Sequence, residues 1–138
     1  MNENDSGYKL SGHKINPKFI VKDGELTPST LDKQTIQDLL CTALEGGSNY
    51  WIDSVTHNHK ETNVEYWSET LGDAKGKMEI TDEANEVYKL DNSDALKAIP
   101  IMRTKYPRHY NDAFNDNHDA TTADVFLQII VFGEVIYG

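Results

Sequence analysis

The most regular pattern of apolar positions predicts a helix in the first third of the chain. Its apolar residues recur at intervals of three and four, which places them on one helix face: Ile36, Leu39, Leu40, Ala43 and Leu44. Residues 28–30 supply a cap, Asp32 lies in the first turn, and Gly46-Gly47 favours a C-terminal stop. We therefore predict a helix over residues 30–45.

Shorter segments that are rich in β-branched and aromatic residues, or that alternate polar and apolar positions, predict strands. The candidates lie on both sides of the helix: residues 18–22, 50–57, 61–67, 77–81 and 86–90. The connections after the helix are shorter than the dozen or so residues that a parallel crossover needs, so we expect antiparallel hairpins.

The C-terminal third returns to helical patterns. Apolar positions after Asn92-Ser93 predict a helix that Pro100 should kink or delay. Pro107 suits the first turn of a short helix over residues 108–114.

A last helix is predicted to open at Asp119 or Thr121 and to stop at Gly133. Residues 125–132 are apolar nearly all round, which favours burial against both the sheet and a partner subunit. Residues 135–137 are expected to add a closing strand.

These elements predict the α+β class, with a small antiparallel sheet of three to five strands packed against an N-terminal helix and two or three C-terminal helices. Residues 1–15 mix Asn, Asp, Ser and Gly without an apolar period, so we expect a mobile tail. Residues 16–138 are expected to form a single α+β domain, because 138 residues suit one domain.

The net charge of the chain limits the kinds of partner that it is expected to bind. The chain has 13 Lys+Arg against 23 Asp+Glu, which gives a formal net charge of −10. This excess of acid argues against general DNA binding, which depends on neutralising phosphates with Lys and Arg. The chain has no apolar run of membrane-spanning length and no signal-peptide pattern, so we expect a soluble protein without a membrane partner.

Motifs for catalysis and metal binding are weak. The single cysteine, Cys41, excludes an internal disulfide and a multi-cysteine zinc site, and its place near the end of the first helix disfavours an activated thiol. Hydrolase, P-loop and dinucleotide fingerprints are absent, and the acidic loop 112–119 fails the calcium-loop pattern. We expect no catalytic residues, no metal and no cofactor.

The sequence His57-Asn58-His59 has the same three letters as the His-Asn-His nuclease motif. In those nucleases the three residues are spread along a ββα metal motif, whereas here they are adjacent. On a strand, His57 and His59 would share one face and could join a metal site if carboxylates converged on them. A solvated strand end is the commoner role for such a pair.

One segment departs from the acidic balance, because residues 102–110 hold both arginines of the chain among aromatic rings. The candidate ligand-binding residues are Arg103, Lys105, Tyr106, Arg108, His109 and Tyr110, with Trp51 added from the strand region. The planar guanidinium of arginine can donate two parallel hydrogen bonds to a phosphate or a carboxylate, and aromatic side chains can stack on nucleotide bases. The alternative is that these cations pair with surrounding acids.

Two stretches resemble a family of small bacteriophage proteins. The first is residues 39–51, with Gly46-Gly47-Ser48-Asn49-Tyr50-Trp51, and the second joins Tyr106-Pro107-Arg108-His109-Tyr110 to the C-terminal TADVFLQ…FGEVIYG pattern over residues 119–138. The resemblance implies phage origin and action in the cytoplasm of an infected host cell. It supplies no catalytic residues, and residues 52–100 lie outside it.

The cationic segment and the resemblance lead us to expect a non-enzymatic counter-defence protein that sequesters a small nucleotide-type immune signal. Arg103 and Arg108 would contact phosphate, and Tyr106, Tyr110 or Trp51 would stack on the base. A homo-oligomer formed through the last helix would complete the pocket.

Two other functions stay open. One is an acidic inhibitor that binds a host defence enzyme directly, in the manner of an anti-CRISPR protein. The other, ranked last, is a metal-dependent phosphodiesterase that uses His57, His59 and nearby carboxylates.

Overall fold

The computed structural model describes residues 19–22, 25–28, 30–115 and 119–138. Its strands are β1 (Phe19–Lys22), β2 (Glu25–Pro28), β3 (Ile52–His57), β4 (Lys77–Asp82) and β5 (Val87–Asp91), and its α-helices are α1 (Thr30–Thr42), α2 (Asn92–Lys105), α3 (Pro107–Phe114) and α4 (Ala120–Phe132). The predicted α+β class is confirmed. No helix among these residues combines the length and apolar character needed to cross a bilayer.

The chain divides into two units between Gln34 and Thr35. In the first unit, β1 and β2 form an antiparallel hairpin in which Phe19 pairs with Pro28. The expected tail over residues 1–15 lies outside the described residues, and the expected single domain over residues 16–138 stays a prediction.

The second unit holds a three-stranded antiparallel sheet in the order β3-β4-β5. In β4, Met78 and Ile80 are buried while Lys77 and Glu79 are exposed. This alternation is typical of a sheet that is covered on one face. The predicted antiparallel pairing is confirmed, with a short connection between β4 and β5, but residues 58–76 make the connection between β3 and β4 longer than expected.

The core of the second unit forms where α1, α2 and α4 bury their apolar faces beside the sheet. Its largest fully buried apolar side chains are Leu39, Leu40, Trp51, Leu71, Ile80, Ile99, Met102, Phe126 and Leu127. In α4, every residue from Thr122 to Val131 is buried, and the helix packs against α2 and α3. Its own chain therefore covers α4, and the expected homo-oligomer stays a prediction.

Two predicted strands are wrong. Residues 61–67 connect two short 3-10 turns, because the hydroxyls of Thr62 and Thr70 donate to carbonyls three residues earlier and so favour turns over an extended chain. Residues 135–137 are irregular because their backbone groups bond to side chains rather than to a neighbouring strand.

The helix boundaries differ from the prediction in two places. The α-helical part of α1 ends at Thr42, and a wider π turn spans Ala43–Gly47. Helix α2 runs through Pro100, so the expected delay is wrong. Its first turn is fixed by the carboxylate of Asp91, which accepts the backbone N–H of Ser93 at 2.9 Å.

Candidate functional site

The cationic segment lies at the corner where α2 ends and α3 begins. Tyr106 is the single residue between the two helices. We name five residues the cationic corner: Arg103, Lys105, Tyr106, Arg108 and His109. Lys105 and Arg108 are exposed, whereas the other three are half-buried.

Within the part of the chain that the structure describes, the two exposed cations of the corner have no acidic partner at ion-pair distance. Among the described residues, no carboxylate lies within 4.0 Å of the amine of Lys105 or the guanidinium of Arg108. Asp112, one helical turn after Arg108, is therefore not its ion-pair partner. Between the described residues, ion pairing does not occur at these two positions.

Tyr106 and His109 are tied to other elements. The hydroxyl of Tyr106 accepts the backbone N–H of Val135 at 3.0 Å. The Nδ1 atom of His109 lies 3.0 Å from Oγ1 of Thr122, on the first turn of α4. These two contacts hold the corner against α4 and the C-terminal segment, so the exposed cations project from a supported backbone.

The other two predicted rings belong to the core. Trp51 is fully buried, and Tyr110 is 6% exposed with its ring 4.7 Å from that of Phe114. Neither ring presents a face that a ligand could stack on. Tyr106 is the one aromatic ring of the predicted set that keeps partial exposure.

A buried carboxylate, absent from the predicted site residues, connects α4 to the turn that precedes β3. Asp124 on α4 is 7% exposed. Its Oδ1 accepts from Ser48 Oγ at 2.7 Å and from Trp51 Nε1 at 2.8 Å. Its Oδ2 accepts from Tyr50 Oη at 2.5 Å and from Gln128 Nε2 at 2.9 Å. All four donors are uncharged.

Gln128 extends this network to residues 135–137. Its Oε1 accepts the backbone N–H of Ile136 at 2.9 Å and of Tyr137 at 2.8 Å, and its Nε2 donates to the Tyr137 carbonyl at 3.0 Å. The Tyr137 ring stacks on Trp51 with centroids 5.7 Å apart. One signal was present in the sequence: Asp124 and Gln128 lie four positions apart in an otherwise apolar helix, so they share a face.

Tyr50 is the exposed end of the network. Burial of its hydroxyl, followed by the hydrogen bond to Asp124, raises the pKa of Tyr50 to about 12. The hydroxyl is therefore neutral near pH 7, and both oxygens of Asp124 already accept two hydrogen bonds each. This arrangement makes Asp124 a structural centre rather than a free base.

Two open clefts lie elsewhere in the second unit. One of about 350 Å³ borders the sheet at Thr56, Lys77 and Lys89. The other, of about 500 Å³, lies beside Tyr50 and Asp124. Within the described part of the chain, neither of these two clefts is lined by a residue of the cationic corner.

The two central histidines have partners other than a metal. His57 stacks on Trp67 with centroids 5.4 Å apart, and its Nδ1 accepts the backbone N–H of His59 at 3.3 Å. His59 Nε2 donates to the Val64 carbonyl at 2.9 Å. In the ranges that the structure describes, no group of three or more His, Cys, Asp or Glu residues could hold a metal ion.

An exposed aromatic ring lies on the acidic surface. Tyr66 is 53% exposed, and the negative charge of Glu65 is the main cause that raises its pKa, with Glu69 contributing.

The thiol of Cys41 is hydrogen-bonded to an acid: it donates to Glu45 at 3.0 Å, and this bond raises the pKa of the thiol. A thiol held protonated is a weak nucleophile, as the sequence analysis expected.

No family model matches the chain, and neither the curated proteins nor the solved structures contain a match. The chemistry of the chain's own residues therefore carries the functional proposals.

Proposed function

We propose that this chain is a non-enzymatic binding protein that holds a small phosphate-bearing ligand at the cationic corner. The observation that carries the proposal is the state of Lys105 and Arg108, which are exposed and have no carboxylate within 4.0 Å among the described residues. The chain has 23 Asp+Glu for 13 Lys+Arg. Lys105 ends α2 and Arg108 lies in the first turn of α3, so an anionic ligand bound at this corner would contact both cations.

The chemistry of the corner suits phosphate. The guanidinium of Arg108 offers parallel N–H donors to two phosphate oxygens, and Lys105 adds a compact positive charge. Arg108 also lies in the first turn of α3, where Tyr106 provides no side-chain cap. The positive end of the helix dipole adds to the charge of these side chains.

A base attached to the phosphate would contact Tyr106, because Trp51 and Tyr110 are buried. The hydrogen bond from the Val135 N–H to the Tyr106 hydroxyl fixes the orientation of this ring. A ring that is already oriented loses little entropy when a base stacks on it. The corner therefore suits a nucleotide whose base stacks on Tyr106 through one face and leaves the other face in solvent. It is less suited to a nucleotide whose base must be covered on both faces.

The biological setting of the proposal is phage counter-defence in the cytoplasm of an infected host. Sequestering a nucleotide-type immune signal requires binding without turnover, and a surface that holds phosphate supports that task. This setting derives from the resemblance to phage proteins, and the binding chemistry derives from the corner.

Isothermal titration calorimetry against cyclic dinucleotides and ADP-ribose-type nucleotides tests the proposal. We expect saturable binding, weakened about tenfold or more by Arg108→Ala, since a charge-assisted hydrogen bond contributes about 1.5–3 kcal/mol. Lys75→Ala is the matched control, because Lys75 is also exposed but lies far along the chain, before β4. Absence of binding, or equal loss in both variants, contradicts the proposal.

Tyr66 favours a second candidate, an acidic inhibitor that binds a defence enzyme directly. An exposed aromatic ring beside Glu65 and Glu69 suits a basic protein surface, because aromatic residues are enriched at interface centres and complementary charge steers association. This candidate predicts a stoichiometric partner whose affinity falls steeply with salt and is lost in Tyr66→Ala. Val87→Ala serves as a control, because Val87 is as exposed as Tyr66, at 54%.

A further inference from the structure

The cleft beside Asp124 has an unusual lining. Its volume is about 500 Å³, and its walls include Gly47, Tyr50, Thr121, Val125 and Tyr137 around Asp124. Of the described residues that line it, Asp124 alone has a charged side chain. We name this space the tyrosine cleft.

The charge of Asp124 is stabilised but not neutralised. Its four hydrogen-bond donors, from Ser48, Tyr50, Trp51 and Gln128, are all uncharged. Among the described residues, no Lys, Arg or His nitrogen lies within 4.0 Å of its oxygens. A buried carboxylate of this kind gives the adjoining space a negative potential that solvent screens only partly.

A second buried carboxylate acts in the same direction. Asp82 is 2% exposed, and its Oδ2 accepts from the hydroxyl of Tyr137 at 3.3 Å. Its Oδ1 accepts the backbone N–H groups of Ala84 and Glu86, so its donors are also neutral. Tyr137, a wall of the cleft, therefore bonds to one negative charge and lies near another.

The two tyrosine rings offer the surface that an organic cation prefers. The π faces of tyrosine attract cations through the ring quadrupole. Tyr50 is 53% exposed and lines the cleft, and its hydroxyl is anchored by the hydrogen bond to Asp124. Tyr137 also lines the cleft, and stacking on Trp51 holds its ring.

The hydrogen bonding of Asp124 decides which class of cation fits. A primary ammonium group needs three acceptors, but each oxygen of Asp124 already accepts two hydrogen bonds. A quaternary ammonium group needs none and interacts through charge and aromatic faces alone. We propose that the tyrosine cleft binds a quaternary alkylammonium group. This ligand is a cation, whereas the ligand proposed for the cationic corner is an anion, so either proposal can fail without the other.

The test is an NMR titration with choline and with 3,3-dimethylbutan-1-ol, its uncharged isostere, at constant ionic strength. We expect saturable choline binding with a dissociation constant of about 1–10 mM and isostere binding at least about tenfold weaker, as a partly exposed cation–π site would give. Methylammonium should also bind more weakly than choline. No saturation, or equal affinity for choline and the isostere, overturns the proposal.

Variants separate the charge of the cleft from its shape. Asp124→Asn should weaken choline binding about tenfold, and Thr121→Trp should abolish it by filling the cleft. Thr121 is exposed and is not among the hydrogen-bond donors to the Asp124 carboxylate, so this second variant keeps the test valid if Asp124→Asn fails to fold. Thr104→Trp, on α2 and outside the cleft, is the matched control. Unchanged binding in folded Thr121→Trp contradicts the proposed location.

Discussion

The indole Nε1 of Trp51 donates to Oδ1 of Asp124 at 2.8 Å, across 73 positions of sequence. Both residues are buried, and Trp51 also stacks on Tyr137. This bond explains why Trp51 serves the core although its aromatic neighbourhood suggested a ligand contact. It joins the chain before β3 to the middle of α4.

Removing the carboxylate of Asp124 should destabilise the fold severely. In Asp124→Ala, the indole of Trp51, the hydroxyl of Ser48 and the amide of Gln128 lose a buried acceptor together. We expect the free energy of unfolding to fall by about 3–5 kcal/mol, since several buried donors are left unsatisfied. Urea denaturation measures it, and Asp53→Ala, an exposed position, should leave the midpoint nearly unchanged.

Gln128 should control the order of residues 135–137. In Gln128→Met, the side chain keeps its approximate volume but loses every hydrogen bond to the backbone of Ile136 and Tyr137. We expect a loss of about 2–4 kcal/mol in stability. Amide hydrogen exchange should rise at these two residues, and protection at Tyr137 equal to that of the wild type would show that the glutamine does not hold the segment.

The elements that rest on local chemistry were predictable from sequence. The period of apolar residues identified α1, Pro107 marked the start of α3, and Gly133 ended α4 in the left-handed conformation, with φ of 81°. In the second sheet, β4 and β5 followed from alternation of polar and apolar positions, and β3 followed from its aromatic and β-branched residues. These features depend on residues near each other in the chain.

What the sequence could not supply were contacts between distant residues. Residues 135–137 have the composition of a strand, but Gln128 and the Tyr106 hydroxyl satisfy their backbone groups, so no strand forms. Likewise, Trp51 and Tyr110 were predicted to contact a ligand together with the cationic segment, but both rings are buried in the core. The charges of Lys105 and Arg108 were predicted, but coordinates were needed to show that no acid of the described residues pairs with them.

The two carboxylates that cap α2 and α4 should make the free energy of unfolding depend on pH in the acidic range. The pKa of Asp91 is lowered, first by the hydrogen bond from the Ser93 side chain, and that of Asp119 is lowered by the backbone N–H of Thr122. A lowered folded-state pKa means that the stabilisation is present above the ordinary value of 3.8 and is lost as pH falls through the folded-state value.

Asn substitution at both caps gives the measurement. Asn also caps helices but does not titrate in this range, so Asp91→Asn with Asp119→Asn should flatten the fall in stability below about pH 4. Thermal unfolding followed by circular dichroism between about pH 5 and pH 2.5 records the slope. A slope identical to that of the wild type would mean that these carboxylates are not the groups responsible.

Tyr50 should contribute stability that disappears in alkali. Its pKa is raised from 10.0 to about 12, first by burial, so the folded state favours the neutral hydroxyl. A raised folded-state pKa gives stability that is full below pH 10 and declines as pH rises towards 12. Tyr50→Phe should therefore be less stable at pH 8 and should lose less stability than the wild type on going to alkaline pH.

NMR chemical-shift mapping with ADP-ribose would show where a phosphate-bearing ligand binds as well as whether it binds. We expect the largest amide shifts at Lys105, Tyr106, Arg108 and His109, and we expect Arg108→Ala to remove them while leaving the rest of the spectrum in place. Shifts centred instead on Lys77 and Lys89 in the cleft beside the sheet, or no shifts with any of the nucleotides, would contradict the proposal.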